Sequence, residues 1–233
     1  MITPLLLSTV TLPEAHPRAG SECPVYGFLV VSRSGPLLVD TGVGCDEPMI
    51  IDLFAPTTYP IEAQLADQGI RREDIGLIVN SHLHFDHVGN NRLFPGVPQI
   101  AQRAERRSMD EGRYTVPAWI DFPGANWRFV EGVVDIVPGV QLLPTPGHTE
   151  GHQSVVVTSD DGHVEVIAAQ ALYDPNELNA GASIEPLSDE EAAATRASAE
   201  AIKALNPTRV YFSHTAEVWA PDRPRHQHMT GRP

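Results

Sequence analysis

The nine residues SHLHFDHVG, 81–89, constrain this chain more than any other stretch. They follow IGLIVN, an apolar run that reads as a buried strand, so the cluster sits where a strand emerges into a loop, a favoured place for chemistry. His82, His84 and Asp86 alternate, and on an extended backbone alternate residues share one face. His87 then has to point elsewhere. Neutral imidazole is the commonest nitrogen ligand for zinc, and two histidines at i and i+2 grip one ion from one face. The bland alternative is a solvated His-rich loop. Such loops rarely follow a buried strand or mix His with one Asp at alternating positions.

Two of the other histidines stand in comparable settings. His148 lies in LLPTPGHTEGHQS, after a strand and inside a Pro/Gly turn. His214 ends the apolar run of RVYFSHT. Each alone reads more readily as a hydrogen-bonded loop histidine; recurrence at three strand ends points to one shared centre. His152 reads as a supporting or structural residue rather than a direct ligand. His16, His163, His226 and His228 read as surface residues.

Around these positions, β-rich apolar runs recur at 25–31, 36–40, 77–80, 133–137, 140–143, 154–158, 164–169 and 209–212, separated by turn signals. The connections SRSG and SDDGH predict hairpins. Helical patterns fall at 60–68, 101–109 and from Ser188 to about 205, the last opened by a Ser188/Glu191 capping-box spacing. Segments 44–60 and 110–130 show no clear period and read as loops. Tyr114, Trp119, Phe122 and Trp127 in the second of these either wall an apolar pocket or pack into the core or a lid. Sheets interspersed with helices suggest an α/β or α+β layered fold. We expect a single domain over 1–233 with a polar tail from about 221.

A net charge of −14 argues against nucleic acid and against an anionic membrane surface as partners. Cys23 and Cys45 have no paired spacing and read as two free thiols in a reducing compartment. The start has an apolar LLL but no basic region before it, and no run approaches a membrane span. The expectation is a soluble, cytoplasmic protein.

Through HLHFDH, His148 in TPGHTEGHQS, His214 in YFSH and Asp40 in LLVDTG, the sequence resembles the metallo-β-lactamase superfamily. Within it, SHLHFDH, VPGVQLLPTPGH, GHQS and Tyr173 three residues after position 170 are most similar to the N-acyl homoserine lactonase group. The likeness runs from about residue 25 to 220. It implies an αββα sandwich with a metal pair at one edge. One ion would be held by His82, His84 and His148, the other by Asp86, His87 and His214. Asp40, which by itself reads as a turn cap, would fix a ligand histidine through its other ring nitrogen. The ions would be zinc, with iron, cobalt or manganese also suited to this donor set.

Gln170 departs from the family pattern, which places a bridging Asp there. A Gln offers one carbonyl oxygen and no charge. The expectation is therefore one functional ion, or two with the second held loosely; the alternative is that Gln170 simply hydrogen-bonds a neighbouring His and no metal binds. The implied reaction is hydrolysis of a lactone or related ester by a metal-bound hydroxide. Tyr173 would stabilise the oxyanion, or else be a plain core residue, and Asp86 would carry the proton. A thioester or other ester hydrolase of the same fold, or a binding protein without turnover, are the competing readings. A homodimer is among the expectations.

Overall fold

Two long strands, Ile2–Thr11 (β1) and Glu22–Ser32 (β2), pair antiparallel and begin the first sheet of the computed structural model, which describes residues 1–109, 115–185 and 187–221. Pro4 sits inside β1, where a missing N–H is tolerated only on an open edge. That edge is open there, because the neighbouring strand Thr57–Thr58 pairs only with Ser8 and Thr9. The chain continues through β3 (Gly35–Val39), α1 (Pro48–Phe54), β4 (Thr57–Thr58), α2 (Ile61–Asp67), β5 (Leu77–Val79), α3 (Phe85–Val88), β6 (Pro98–Gln102), α4 (Arg103–Ser108), α5 (Pro117–Ile120) and β7 (Asn126–Val130). The second sheet takes β8 (Val134–Val137), β9 (Val140–Pro144), β10 (Gln153–Thr158), β11 (Val164–Ala169) and β12 (Arg209–Phe212); α6 (Pro175–Ala180) and α7 (Asp189–Ala204) join the last two.

Among the described residues the strand orders are β4-β1-β2-β3-β5-β6-β7 and β12-β11-β10-β9-β8. The period-2 alternation of buried strands builds the layers. Phe28 and Val30 of β2 and Val39 of β3 face inward, onto Leu142, Val155 and Ile167 of the second sheet. Leu29 and Leu38 face outward, beneath Ile61 and Leu65 of α2. On the far side Val156, Val166 and Val210 pack under Ala199 and Ile202 of α7. This is the expected αββα sandwich.

All eight expected strands are present, and so are both hairpins and all three helices. Ser188 caps α7 with the capping box its spacing predicts. The loop readings of 44–60 and 110–130 are corrected. Glu47 accepts from Met49 N and Pro48 starts α1 at a position that tolerates proline. Only Ile50 and Phe54 of that helix are buried, one i, i+4 pair that its otherwise apolar sequence hides. Strand β7 is a half-buried edge. The polar tail lies outside the described residues.

Parallel pairing then places the chemistry. Strands β3, β5 and β6 run parallel in one sheet and β11 and β12 in the other. Asp40, His82 and Gln170 each follow the C-terminal end of such a strand, and His214 follows β12, at the sheet edge where α/β folds gather ligand-binding groups.

Candidate metal centre

The extended face expected over 82–86 ends at His84. This residue has extended φ/ψ (−72°, 157°), and the chain then coils into α3. The turn separates the motif into two groups. His82 and His84 meet His148, and Asp86 and His87 meet His214; within each group the candidate ligand atoms lie within 4.8 Å of one another. Gly89 makes this coil fit: it packs so closely on the backbone of 42–44 that a Cβ would come 1.9 Å from Gly44 N. Gly147, at φ 145°, packs on Thr195 in the same way, where a Cβ would come 2.2 Å from its Oγ1, and leads into His148.

Outer hydrogen bonds fix which nitrogen His82, His87, His148 and His214 turn inward. Asp40, in the left-handed region at φ 61°, accepts from Ser81 N (2.8 Å), Ser81 Oγ (2.7 Å) and His87 Nδ1 (2.8 Å). Because Ser81 Oγ gives its proton to Asp40, His82 Nδ1 donates to that hydroxyl at 3.1 Å and keeps its lone pair on Nε2. His214 Nδ1 donates to Pro24 O (3.0 Å) and His148 Nδ1 to Glu185 Oε2 (2.7 Å). His82 Nε2 and His214 Nε2 are buried and have no hydrogen-bond partner. Buried polar atoms are rarely left so. Divalent cations, one in each group, would satisfy them, and His and Asp are a donor set suited to such ions. The residues fit a metal.

The electrostatics agree. Burial drives His82 and His84 well below the ordinary imidazole range, helped by the surrounding histidines, so both are neutral at pH 7. Burial opposes charge on Asp86, yet His87, His214 and His84 outweigh it and hold the carboxyl below its usual value. Burial also opposes charge on His87, where Asp86 and Asp40 prevail and lift it to about 9.

Gln170 follows Ala169, a non-glycine residue at φ 52° beside a register shift between β11 and β12. That turn aims the amide into the centre. Its Oε1 lies 3.0 Å from His87 Nε2, and its Nε2 donates to Tyr173 Oη at 3.1 Å. Tyr173 Oη donates in turn to Glu185 Oε1 (3.1 Å). A hydrogen-bonded chain thus runs Asp40–His87–Gln170–Tyr173–Glu185–His148, and His148 Nε2 ends 3.1 Å from His84 Nδ1. His152 stands behind His82, ring centroids 5.3 Å apart, with Nδ1 on Thr145 Oγ1 at 2.9 Å.

A cleft of about 410 Å³ opens over both groups. Val10, Leu12, Phe54, Phe85 and Met109 give it an apolar side. The aromatics at 119, 122 and 127 are not in that wall. Trp119 and Phe122 are buried and Trp127 stacks on Phe129, while Tyr114 lies outside the described residues. His16 is a correction: it lines the cleft 6.0 Å from the Tyr173 ring. His163 is exposed beside Asp161; His226 and His228 lie outside the described residues.

Sequence reasoning missed Glu185 and Glu105. Glu105, 3% exposed on α4, accepts from Leu83 N (2.9 Å), Gly151 N (3.0 Å) and Thr149 Oγ1 (2.5 Å), joining the His82–His84 turn to the His148 loop. The apolar run before α4 was the only signal that its first turn would be drawn inward.

Residues 20–214 match the Metallo-beta-lactamase superfamily. An N-acyl homoserine lactonase of Bacillus sp is 35% identical over 166 residues, 65% of this chain and 65% of the relative's own length. Among solved structures, a B. thuringiensis AiiA mutant with N-decanoyl-L-homoserine at its active site superposes with a TM-score of 0.77, at 25% identity over 91% of this chain and 92% of that one. An N-acyl homoserine lactone hydrolase with the product N-hexanoyl-L-homoserine at its catalytic metal centre gives 0.75 at 27%, covering 91% of each. No helix among the described residues is long and apolar enough to cross a membrane. With the αββα sandwich and the match over 20–214, the chain belongs to the metallo-β-lactamase superfamily.

Proposed function

We propose that this protein hydrolyses the lactone ring of N-acyl homoserine lactones or a closely related ester, with a divalent metal, zinc by preference, as cofactor. The observation that carries the reading is the meeting of His82, His84 and His148 with Asp86, His87 and His214 at the floor of a cleft that Tyr173 also lines. The likeness to lactonases supports it. The two groups are the residues that would hold metal, with Asp40 and His152 behind them. A bound divalent ion supplies Lewis acidity, polarising an ester carbonyl and lowering the pKa of water toward neutrality.

The chain's own residues do the rest. The apolar side of the cleft takes an acyl chain and leaves the lactone ring over the polar floor. Burial, first, and then the nearby Glu185 carboxylate push the Tyr173 phenol far up, so it stays protonated; its one proton, turned from Glu185 Oε1 to the substrate, is donated to the developing oxyanion. Asp86, ionised at neutral pH, accepts the proton of the attacking water and returns it to the leaving alkoxide.

Zinc-reconstituted protein incubated with N-hexanoyl-L-homoserine lactone is expected to form the ring-opened acid, one water heavier by mass spectrometry. The His84→Ala variant should lose at least about 100-fold in rate, the scale of removing a group that supports the reacting centre. A second reading, ligand binding without turnover, is favoured by the contact of Gln170 with His87. Saturable lactone binding without product would establish that reading instead.

A further inference from the structure

The two halves of the centre differ in what stands behind and between their ligands. In the half built by His82, His84 and His148, the outer nitrogen of His148 is held at 2.7 Å by a carboxylate, Glu185 Oε2. Such a partner fixes the ring and raises its basicity as a ligand. In the half built by Asp86, His87 and His214, His87 Nε2 already faces an acceptor, Gln170 Oε1, at 3.0 Å. Its Nδ1 is committed to Asp40. An ion entering the first half parts only two of its own ligands, His84 Nδ1 and His148 Nε2 at 3.1 Å; an ion entering the second has to displace Gln170, a residue outside the ligand group that brings no charge to offset that loss.

Resting on the metal reading above, we propose that Gln170 and Glu185 make the centre asymmetric. One divalent cation is held tightly by His82, His84 and His148, Glu185 is the positioning carboxylate for that site, and Gln170 keeps the other half free of tightly bound metal. Glu185 is connected to the second half through Tyr173 Oη and Gln170, so both residues belong to one hydrogen-bonded unit. The carboxylate absent at position 170 is thereby present at 185, shifted toward the three-histidine half.

The test counts and weighs metal. The full chain without an affinity tag is stripped with chelator and titrated with zinc against a chromophoric competitor, and bound metal is measured by elemental analysis. Wild type is expected to hold one ion tightly. Gln170→Asp should hold two, and so should Gln170→Glu, which changes one atom and the charge. Glu185→Gln should still hold one ion, about 10- to 100-fold more weakly. The melting temperature of metal-free Glu185→Gln should match that of metal-free wild type, a readout that a merely structural role would move. Two ions held with equal affinity by wild type, or unchanged zinc affinity in Glu185→Gln, would overturn the proposal and leave the metal reading standing. If neither wild type nor the Gln170 variants bind zinc, the metal reading falls and the proposal with it.

Discussion

Two cysteines with the same chemistry meet opposite surroundings. Cys23 is 1% exposed beside the cleft, and burial first, then the Asp86 and Glu185 carboxylates, push its thiol up to about 12 against the pull of Arg18. Cys45 is exposed. The thiolate is the reactive form. At pH 8 a chromogenic disulfide reagent should therefore modify one thiol per folded chain quickly and the second only after denaturation; two fast thiols would show that the Cys23 pocket opens. At this scale the sequence was legible wherever chemistry and spacing coincided. His82, His84, His87, His148 and His214 were readable because histidines at strand ends are unusual, and Asp86 because it alternates with two of them. Glu185 was not, because a single Glu in a polar connection looks like any solvated carboxylate. His16 was misread for the same reason: nothing in LPEAHPRAG shows that the β1–β2 connection bends over the Tyr173 ring.

Among the elements, α3 carries the most consequence for its four residues. It converts an alternating motif into two ligand groups, and it does so by pressing Gly89 on the backbone of 42–44, where Gly89 N donates to Gly42 O at 2.8 Å. Gly89→Ala has to move one of these two segments. Overpacking of this kind costs roughly 3 kcal/mol, and a domain of this size loses about 2–4 °C of melting temperature per kcal/mol. Thermal denaturation should thus fall by about 6–12 °C, with weakened zinc affinity; a variant that melts with wild type would show that the contact is loose. Strands with continuous apolar runs were legible because burial on both faces leaves that mark. The strand at the N-terminus was not, since Pro4 argues against a strand unless one edge is known to be open. Helix α1 was hidden by apolar residues on its exposed side, among them Met49, Ile51 and Leu53.

For the molecule as a whole, the centre joins two sheets whose apolar faces meet beside it and which Gln153 of β10 also ties together, through Gln102 Nε2 at 2.9 Å and Asn80 O at 2.9 Å. His82, His84, Asp86 and His87 come from the first, and His148, Gln170 and His214 from the second. Metal bound by the native state alone stabilises by about 2.7 kcal/mol at a hundredfold excess over its dissociation constant. Adding zinc to the metal-free chain should then raise the melting temperature by about 5–10 °C, and chelator should reverse it. A melting temperature indifferent to zinc would mean that the native chain binds no zinc, or binds it no better than the unfolded chain does. The sandwich was legible at this scale from the order of runs and turns. Which partners the strand ends would bring together was not, because contact between Gln170 and His87 spans 83 residues and depends on docking both sheets. That span has a consequence for the order of assembly. Long-range closures come late and slowly in folding, and His214 is seated by Pro24, 190 residues away, only once β12 lies against β11. A chain still in synthesis can own a complete first sheet and four of the candidate ligands and yet hold neither group whole, because His148 and His214 belong to the second half of the chain. On the proposed reading, activity cannot precede the docking of the two sheets, and a fragment that stops at the first sheet is inert.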